Sequence, residues 1–420
     1  MPEAGPHHPT ATPGLTATPD PTGTPDPTGT SGPAETPSAA ALDQVTSLLE
    51  SAVAGGRIPG LVALAGRGPA ILCRRVAGQA DTNPARPMHA GTIFDLASLT
   101  KVVATTTVTL ALISQGQLAL DAPVIAYLPR FEAFQANPAT VRHLLTHTSG
   151  LPRGRKFHRW CRSRDELLRD LYQTELEAPP GSRVVYSDLG FMALGEVVAA
   201  VTGSPLDQAT ADLVTGPLEM TATGFNPSGP AQRFAATEPT AAEPTAAEPT
   251  ANENTAIRPA GTGPAGNGLA WSGTVHDENA RLMGGVAGHA GLFAPGADLA
   301  RFAAWWVSDS DTVVPAALRR AAATCQTTPP QGTGPAAASP ATGRRGFGWA
   351  CPGDAFDILG GHWPATAVSH TGFTGTSLAL DPASGLWLIL LTNAVHAGRD
   401  ATAVQALRRA VHAAVTARPP

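Results

Sequence analysis

The sequence predicts an α/β fold: one antiparallel sheet, flanked by an N-terminal and a C-terminal helix, with a mainly helical region inserted into it. Three observations predict this arrangement. A helical pattern and two apolar strands open the folded part, two apolar strands and a helix close it, and helical patterns dominate the middle. We therefore assign the sheet part to about residues 41–97 and 290–420, and the helical part to about 98–289. The expected functional site is a cleft between the two parts.

The first predicted elements are a helix and two strands. Residues 42–54 carry apolar side chains at helical spacing and end at a pair of glycines. Residues 61–65 and 71–76 are short apolar runs separated by a glycine-rich turn, which is typical of adjacent strands. Residues 98–114 are apolar over a longer stretch and predict a buried helix.

The later elements return the chain to the sheet. Residues 141–147 and 189–202 have helical periodicity. Residues 377–380 and 386–392 are apolar and flank the sequence Asp-Pro-Ala-Ser-Gly, which is typical of a hairpin turn. A helix over about residues 399–415 closes the chain.

Three segments of low complexity interrupt these elements. Residues 1–40 are rich in proline, threonine and glycine, and they predict a disordered tail because such a composition buries too little apolar surface to fold. Residues 235–268 and 327–345, both approximate, predict insertions at the surface. We expect no chemistry in these segments, and the folded domain is residues 41–420.

The overall composition excludes several classes of protein. Hydrophobic residues make up 43% of the 420 residues, which is normal for a globular core. The net charge of -5 gives no electrostatic reason to expect nucleic acid or an anionic membrane as a partner. No apolar run reaches the roughly 20 residues of a membrane helix. The N-terminus lacks the features of a secretory signal, so we expect a cytoplasmic protein as written, or an exported one if the gene start is misassigned.

Nothing in the sequence indicates a metal or a cofactor. The four cysteines are scattered and lack the spacing of metal ligands or of a disulfide framework. His143 and His147 are spaced as in metal-binding helices, but without a further ligand nearby we interpret them as capping and packing residues.

Lysine is unusually rare in this chain. The 28 basic residues include only two lysines, Lys101 and Lys156, and arginine occupies the other basic positions. A desolvated lysine can lose its proton near neutral pH, whereas an arginine cannot. A lysine retained against this bias is therefore a candidate for proton transfer.

Lys101 follows Ser98 by three residues at the start of the apolar helix, so the two side chains share one face. The field at a helix N-terminus favours a neutral lysine there, and a neutral amine can take the proton of a serine hydroxyl. We predict Ser98 as a nucleophile and Lys101 as its base.

A second motif is Tyr186-Ser187-Asp188, which lies in a loop between a turn and a helix. The phenol of Tyr186 could relay a proton between the nucleophile and a leaving group. The alternative is that Ser187 or Asp188 simply caps the following helix.

A third motif, His370-Thr371-Gly372, stands just before the strand at residues 377–380. Backbone N–H groups at a strand edge could form an oxyanion hole. His370 and Thr371 could hold a substrate carboxylate or belong to the proton network.

In this order and spacing, the three motifs resemble the penicillin-recognising serine hydrolases, and the tyrosine motif is similar to that of the class C β-lactamase and DD-peptidase branch. Residues 95–106 and 141–152 also look like signature stretches of this family. The resemblance runs over about residues 42–416. It implies the β-lactamase/DD-peptidase-like fold.

The resemblance also implies roles for individual residues. Ser98 would attack a carbonyl, and Lys101 and Tyr186 would share its proton. The backbone N–H groups of Ser98 and Phe373 would polarise the carbonyl oxygen. Asp188 would hold Lys101 and the substrate amide.

Two positions depart from the family pattern. Asp188 replaces the commoner asparagine, and its negative charge should raise the pKa of Lys101. His370 replaces the usual lysine and weakens the constant positive charge beside Thr371 and Gly372, the predicted substrate contacts. Both departures argue against an efficient β-lactamase.

A fourth stretch, residues 275–293, places His276, Asp277 and His289 near a glycine-rich run. Their spacing fits no standard set of metal ligands. The stretch resembles the family branch that includes N-acetylmuramoyl-L-alanine amidases. The three residues are therefore candidate substrate contacts, with a purely structural role as the alternative.

The leading hypothesis is a serine hydrolase that cleaves an amide of a small, cell-wall-derived muropeptide through an acyl-enzyme on Ser98. The alternatives of the same fold are a carboxylesterase, a D-Ala-D-Ala carboxypeptidase or a weak β-lactamase. An alternative of another class is a penicillin-binding sensor with slow turnover. We expect a small-molecule or peptide-glycan substrate, no cofactor, and a monomer or weak oligomer.

Overall fold

The computed structural model describes four stretches of the chain: residues 36–238, 271–327, 343–360 and 363–417. Most of the predicted tail and the larger parts of both predicted insertions lie outside these stretches.

Nine strands are formed by the described residues, and most coincide with the apolar runs of the sequence. They are β1 (Gly60–Arg67), β2 (Ala70–Thr82), β3 (Ala85–Pro87), β4 (Ile93–Asp95), β5 (Gly224–Phe225), β6 (Leu292–Pro295), β7 (Val368–Thr371), β8 (Ser377–Leu380) and β9 (Leu386–Thr392).

The α-helices of these stretches are mostly short, and the predicted opening, middle and closing helices are among them. They are α1 (Ala39–Ala54), α2 (Thr107–Ser114), α3 (Glu132–Ala136), α4 (Val141–Leu145), α5 (Arg164–Tyr172), α6 (Asp188–Thr202), α7 (Leu206–Thr210), α8 (Glu278–Leu282), α9 (Gly296–Trp306), α10 (Ala316–Ala323) and α11 (Thr402–Val415).

The main sheet joins the two ends of the chain, as predicted. Its six strands have the order β3-β2-β1-β9-β8-β7, and every neighbouring pair is antiparallel. The central pair is β1 with β9, in which Ala63 lies opposite Leu390. The inserted helical region therefore connects two halves of one sheet.

Both faces of the sheet are covered. Side chains of a strand alternate between faces, so Leu61 and Ala63 pack with the flanking helices α1 and α11, while Val62 and Leu64 face the large core of the helical region. Each fully buried leucine contributes about 2 kcal/mol by removal from water.

A second sheet was not predicted. It has the order β4-β6-β5, and β4 pairs with β6 in a register that sets Asp95 opposite Phe293. Because β4 leads directly to Ser98 and β6 follows His289, this small sheet fixes the distance between the nucleophile loop and the glycine-rich stretch.

The predicted helix at residues 98–114 is present but irregular. A 3₁₀ turn (Ala97–Leu99) is followed by a π-helical segment (Lys101–Thr106) and then by α2. By length and composition alone the run Ala97–Ser114 could cross a membrane, but 83% of it is buried inside the protein, as in many core helices. Departures from α-helical geometry of this kind occur often at functional sites.

The boundaries predicted for the low-complexity segments extend too far. Helix α1 already begins at Ala39, within the predicted tail. Ala236 and Arg345 are buried, although both fall inside predicted insertions. Composition overestimated these segments because small and basic residues at their edges pack into the domain.

Candidate active site

Ser98 and Lys101 are in direct contact at the start of the buried helical run. Lys101 Nζ donates a hydrogen bond of 2.9 Å to Ser98 Oγ, and a second of 3.1 Å to the backbone oxygen of His289. The Lys101 side chain is fully buried. The predicted nucleophile and base are thus brought together.

The turn that carries Ser98 is held in an uncommon backbone conformation. Ala97 has a φ of 47°, in the left-handed region that a residue with a Cβ rarely adopts. The buried Asp95 stabilises it: Oδ1 accepts the N–H of Ala97 at 2.8 Å, and Oδ2 accepts the N–H of His276 at 2.7 Å. Strain of this kind persists where surrounding bonds fix it, typically at functional sites.

The charge of Lys101 is set by Asp188 and Tyr186. Burial alone would lower the pKa of Lys101, but the carboxylate of Asp188 at 2.7 Å and the nearby Tyr186 outweigh it and raise the pKa. The expected neutral lysine is therefore wrong for the resting state, in which Lys101 is an ammonium. The predicted effect of Asp188 on the pKa of Lys101 has the right direction.

Tyr186 is positioned by the loop before α6. The Ser187 side chain caps this helix by accepting the N–H of Gly190 at 3.0 Å, and the Ser187 N–H donates to His147 Nδ1 at 3.0 Å. The His147 ring lies 4.7 Å from the Tyr186 ring. The capping alternative is correct for Ser187. His147 is a packing residue, as expected, and its partner is Tyr186, which the sequence did not indicate.

Three cations surround the ring of Tyr186. Lys101 Nζ lies 5.0 Å from the ring centroid, and the guanidinium carbons of Arg345 and Arg153 lie at 5.4 and 5.9 Å. The Phe356 ring packs against the same ring at a centroid distance of 5.0 Å, tilted by 36°. Positive charge around a phenol favours the build-up of negative charge on it during proton transfer.

Strand β7 approaches the nucleophile loop so closely that only glycine fits at residue 372. A Cβ there would overlap Thr376 Oγ1 and the backbone oxygen of Leu96. The hydroxyl of Thr376 donates to Leu96 O at 2.9 Å, and that of Thr374 donates to Asp95 O at 2.7 Å. These bonds fix the turn that carries Phe373 beside Ser98.

His370 is buried and neutral. Its pKa is well below the usual range, because of burial first and then the positive charges of Lys101 and Arg345. Nδ1 lies 2.9 Å from the backbone oxygen of Thr371, which can only accept, so Nδ1 carries the proton and Nε2 is an acceptor.

The glycine-rich stretch supports the site from behind. His289 is buried, and its Nε2 contacts Asp277 Oδ1 at 2.9 Å. Burial alone would raise the pKa of Asp277, but its contact with His289, the hydrogen bond from the N–H of Ala280 and the charge of Lys101 hold that pKa well below the usual range. The backbone of His289 thus reaches Lys101 while its side chain is bonded to Asp277.

His276 lies under the exposed ring of Phe373. The two rings stack at 5.6 Å, and His276 Nε2 is 2.9 Å from Glu238 Oε1. Glu238 also accepts a hydrogen bond of 2.6 Å from Arg399. His276 is therefore positioned by protein partners, as is His289, and substrate contact by either side chain stays a prediction.

A cleft of about 240 Å³ opens at Ser98. Predicted site residues in its wall are Ser98, Tyr186, Asp188, Asp277, His370, Thr371, Gly372 and Phe373. Residues that the sequence did not single out include Arg153, Arg345, Phe356 and Arg408. The described stretches contain no group of three or more histidine, cysteine or acidic side chains placed to bind a metal ion.

The missed cleft residues gave little signal in the sequence. Arg345 stands at the edge of a low-complexity segment, and Arg408 is one of a pair in an amphipathic helix. Arginine is the default basic residue of this chain, so its presence alone carries no information. Only the fold brings these side chains to the nucleophile.

The helical region separates the two halves of the antiparallel sheet in the chain. Beside the edge strand β7, Ser98 is hydrogen-bonded to the buried Lys101. These features define a serine hydrolase of the β-lactamase and transpeptidase-like fold. The Beta-lactamase family model matches residues 45–413, and the chain belongs to this family.

Relatives and solved structures agree with this assignment. The chain is 31% identical to an N-acetylmuramyl-L-alanine amidase of Bacillus subtilis over 86% of this chain and 82% of the relative. It is 39% identical to esterase EstB of Burkholderia gladioli over 47% of this chain and 56% of that protein. The structure of EstCE1, a hydrolase with promiscuous acyltransferase activity, is 26% identical and covers 88% of this chain and 98% of its own, with a TM-score of 0.66.

Proposed function

We propose that this chain hydrolyses an amide bond of a small, cell-wall-derived muropeptide through an acyl-enzyme on Ser98. The observation that carries the proposal is the 2.9 Å contact between Ser98 Oγ and the buried Lys101. A serine hydroxyl needs a base within hydrogen-bond reach, and no closer candidate lies at Ser98 among the described side chains.

The reaction proceeds in two acyl transfers. Lys101 first releases a proton to solvent. Ser98 Oγ then bonds to the carbonyl carbon while its proton passes to Lys101. When the carbon–nitrogen bond breaks, Tyr186 donates its proton to the leaving amine and takes one back from Lys101. Water then cleaves the ester of Ser98 and regenerates the hydroxyl. The N–H groups of Ser98 and Phe373 would stabilise the oxyanion in both steps.

Cell-wall fragments are the favoured substrates for two reasons. A relative named N-acetylmuramyl-L-alanine amidase aligns over most of both chains. The cleft also combines the half-buried carboxylates of Asp188 and Asp277 with arginines, a mixed polarity that suits a peptide with charged groups.

A substrate panel read by mass spectrometry tests the proposal. It contains MurNAc-peptides, D-Ala-D-Ala peptides, short-chain esters and a chromogenic cephalosporin, each with wild type and Ser98→Ala. We expect release of MurNAc and intact peptide by wild type alone. Release of D-alanine would identify a carboxypeptidase instead, and modification by penicillin without turnover would identify a sensor.

A carboxylesterase is the second candidate. Phe373 is 53% exposed at the cleft mouth, and Phe356 forms part of the wall, so the cleft offers apolar surface to an acyl or alcohol group. The 39% identity to esterase EstB supports this reading over about half of the chain. Turnover of esters alone in the same panel would decide for it.

A further inference from the structure

A strongly basic loop begins at the wall of the active-site cleft, at Arg153. Residues 153–164 contain six arginine and lysine side chains and no acidic residue, although the whole chain has a net charge of -5. All six basic side chains of this basic loop are exposed: Arg153, Arg155, Lys156, Arg159, Arg162 and Arg164. The net charge, from which we expected no anionic membrane as a partner, therefore does not describe this part of the surface.

Most of these charges have no acidic partner. Arg164 forms an ion pair with Glu196 at 2.7 Å, but the other five cations form none within the described stretches. At the start of α5, Glu166 accepts the backbone N–H of Arg162 at 2.6 Å, and Asp165 forms no ion pair with any described residue. Like charges on one loop repel one another, and an anionic partner would remove this repulsion on binding.

Contacts with the rest of the protein fix the backbone of the basic loop. Phe157 and Cys161 are buried beneath it. The side chain of Asn279 donates a hydrogen bond of 2.7 Å to the backbone oxygen of Arg155 and accepts the N–H of His158 at 3.1 Å. The cations are therefore presented from an ordered backbone, so a partner pays little for ordering the loop.

An exposed indole ring stands among these charges. Trp160 is 50% exposed, whereas the other six tryptophans are buried or half-buried. Its Nε1 already donates to Asp170 at 2.6 Å, so the part left for a partner is apolar ring surface. Phosphate groups of a soluble polymer would gain little from this ring. Tryptophan favours the membrane–water interface, and clusters of arginine and lysine bind anionic headgroups there.

We propose that the basic loop is a docking surface for a membrane of anionic phospholipid, with its cations on the headgroup phosphates and the ring of Trp160 in the interface. Attachment of this kind is reversible and weakens as salt rises, because it depends on screened charges. Arg153 also lies in the cleft wall, and its backbone oxygen accepts the N–H of Asp188 at 2.8 Å. A docked protein therefore holds its cleft near the membrane surface. The proposal does not depend on which bond Ser98 cleaves.

Co-sedimentation with vesicles tests the proposal. Wild type should bind vesicles of phosphatidylcholine and phosphatidylglycerol in equal amounts, should not bind vesicles of phosphatidylcholine alone, and should be released by salt. The combined substitutions Arg155→Gln, Lys156→Gln and Arg159→Gln should weaken binding at least about tenfold. The matched control combines Arg57→Gln, Arg74→Gln and Arg130→Gln, which removes the same charge from exposed positions elsewhere and should bind as wild type does.

Trp160 provides a second readout because it is the one exposed tryptophan. Brominated lipid in the anionic vesicles should quench part of the tryptophan fluorescence of wild type and none in Trp160→Phe. No binding to either vesicle, equal binding to both, or an equal loss in the control variant would overturn the proposal. Binding to soluble polyphosphate without binding to anionic vesicles would also overturn it, and would identify a soluble polyanion as the partner instead.

Discussion

Asp188 Oδ1 lies 2.7 Å from Lys101 Nζ, and this contact decides the protonation state of the active-site lysine. Burial opposes the charge of Lys101, but Asp188, with Tyr186, more than compensates, so the pKa of Lys101 is raised. An enzyme that needs a neutral Lys101 must therefore remove its proton before Ser98 is activated.

Asp188→Asn should move the pH dependence of kcat/KM to lower pH. In wild type the neutral lysine becomes more abundant as pH rises, so kcat/KM should increase through the neutral and alkaline range. Removing the carboxylate lowers the pKa of Lys101, and the same increase should occur at lower pH. The exposed Asp165→Asn is the control. A wild-type rate that falls as pH rises would show that the ammonium is the working form and that Tyr186 is the base.

Lys101→Arg should reduce the rate of Ser98 acylation at least about a hundredfold, because arginine keeps the positive charge but cannot take a proton. The rate is measured by labelling with a fluorophosphonate probe. Lys156→Arg is a matched control, since Lys156 is the only other lysine in the chain. Full labelling of Lys101→Arg would end the assignment of Lys101 as the base.

Gly372→Ala should slow acylation strongly and destabilise the domain. The added Cβ would overlap Thr376 Oγ1 and Leu96 O, and it would push the turn at Phe373 away from Ser98. Overpacking of this kind costs about 1–3 kcal/mol. Gly91→Ala, where a Cβ meets open space, is the control. Labelling rate and urea unfolding are measured together, and normal values of both would refute the close approach of β7.

His412→Phe should make the protein less sensitive to acid. Burial, then the charge of Arg408, lowers the pKa of His412 to about 3, against an ordinary value of about 6.5. The unfolded chain binds this proton below about pH 6.5 and the folded chain does not, so the stability of wild type falls as pH falls. The variant should recover about 2 kcal/mol at pH 5 relative to pH 7.5.

Phenylalanine suits this site because the His412 ring packs against Trp363 at 5.9 Å and neither ring nitrogen has a partner among the described residues. Urea unfolding at both pH values gives the comparison, with the exposed His89→Gln as the control for loss of a surface histidine. If the free energy of unfolding falls equally in wild type and in His412→Phe between pH 7.5 and pH 5, His412 is not buried in its neutral form.

The residues that we propose to be reactive could be singled out in the sequence because they lie in short motifs of uncommon residue types. Ser98, Lys101 and Tyr186 stand out through the scarcity of lysine and tyrosine and through their spacing. The main sheet could be predicted because its strands are apolar runs with clear turn signals at both ends of the chain. In these cases the neighbouring residues in the sequence are enough to indicate the structural element or the chemical group.

The supporting contacts could not be predicted, because they join segments that are distant in the chain. The bond from His276 N–H to Asp95 spans 181 residues, and the bond from Lys101 to the His289 backbone spans 188. The protonation of Lys101 also depends on a balance between burial and Asp188, and only the distance between the two side chains decides it. Arg408 is visible as a site residue only in the folded chain.

The most direct test of the central claim is to locate the covalent adduct of a fluorophosphonate probe by intact-protein and peptide mass spectrometry. The account predicts one adduct, on Ser98, in wild type and in the surface control Ser47→Ala, and none in Ser98→Ala. An adduct of equal yield in Ser98→Ala, or one mapped to another residue in wild type, would contradict the account.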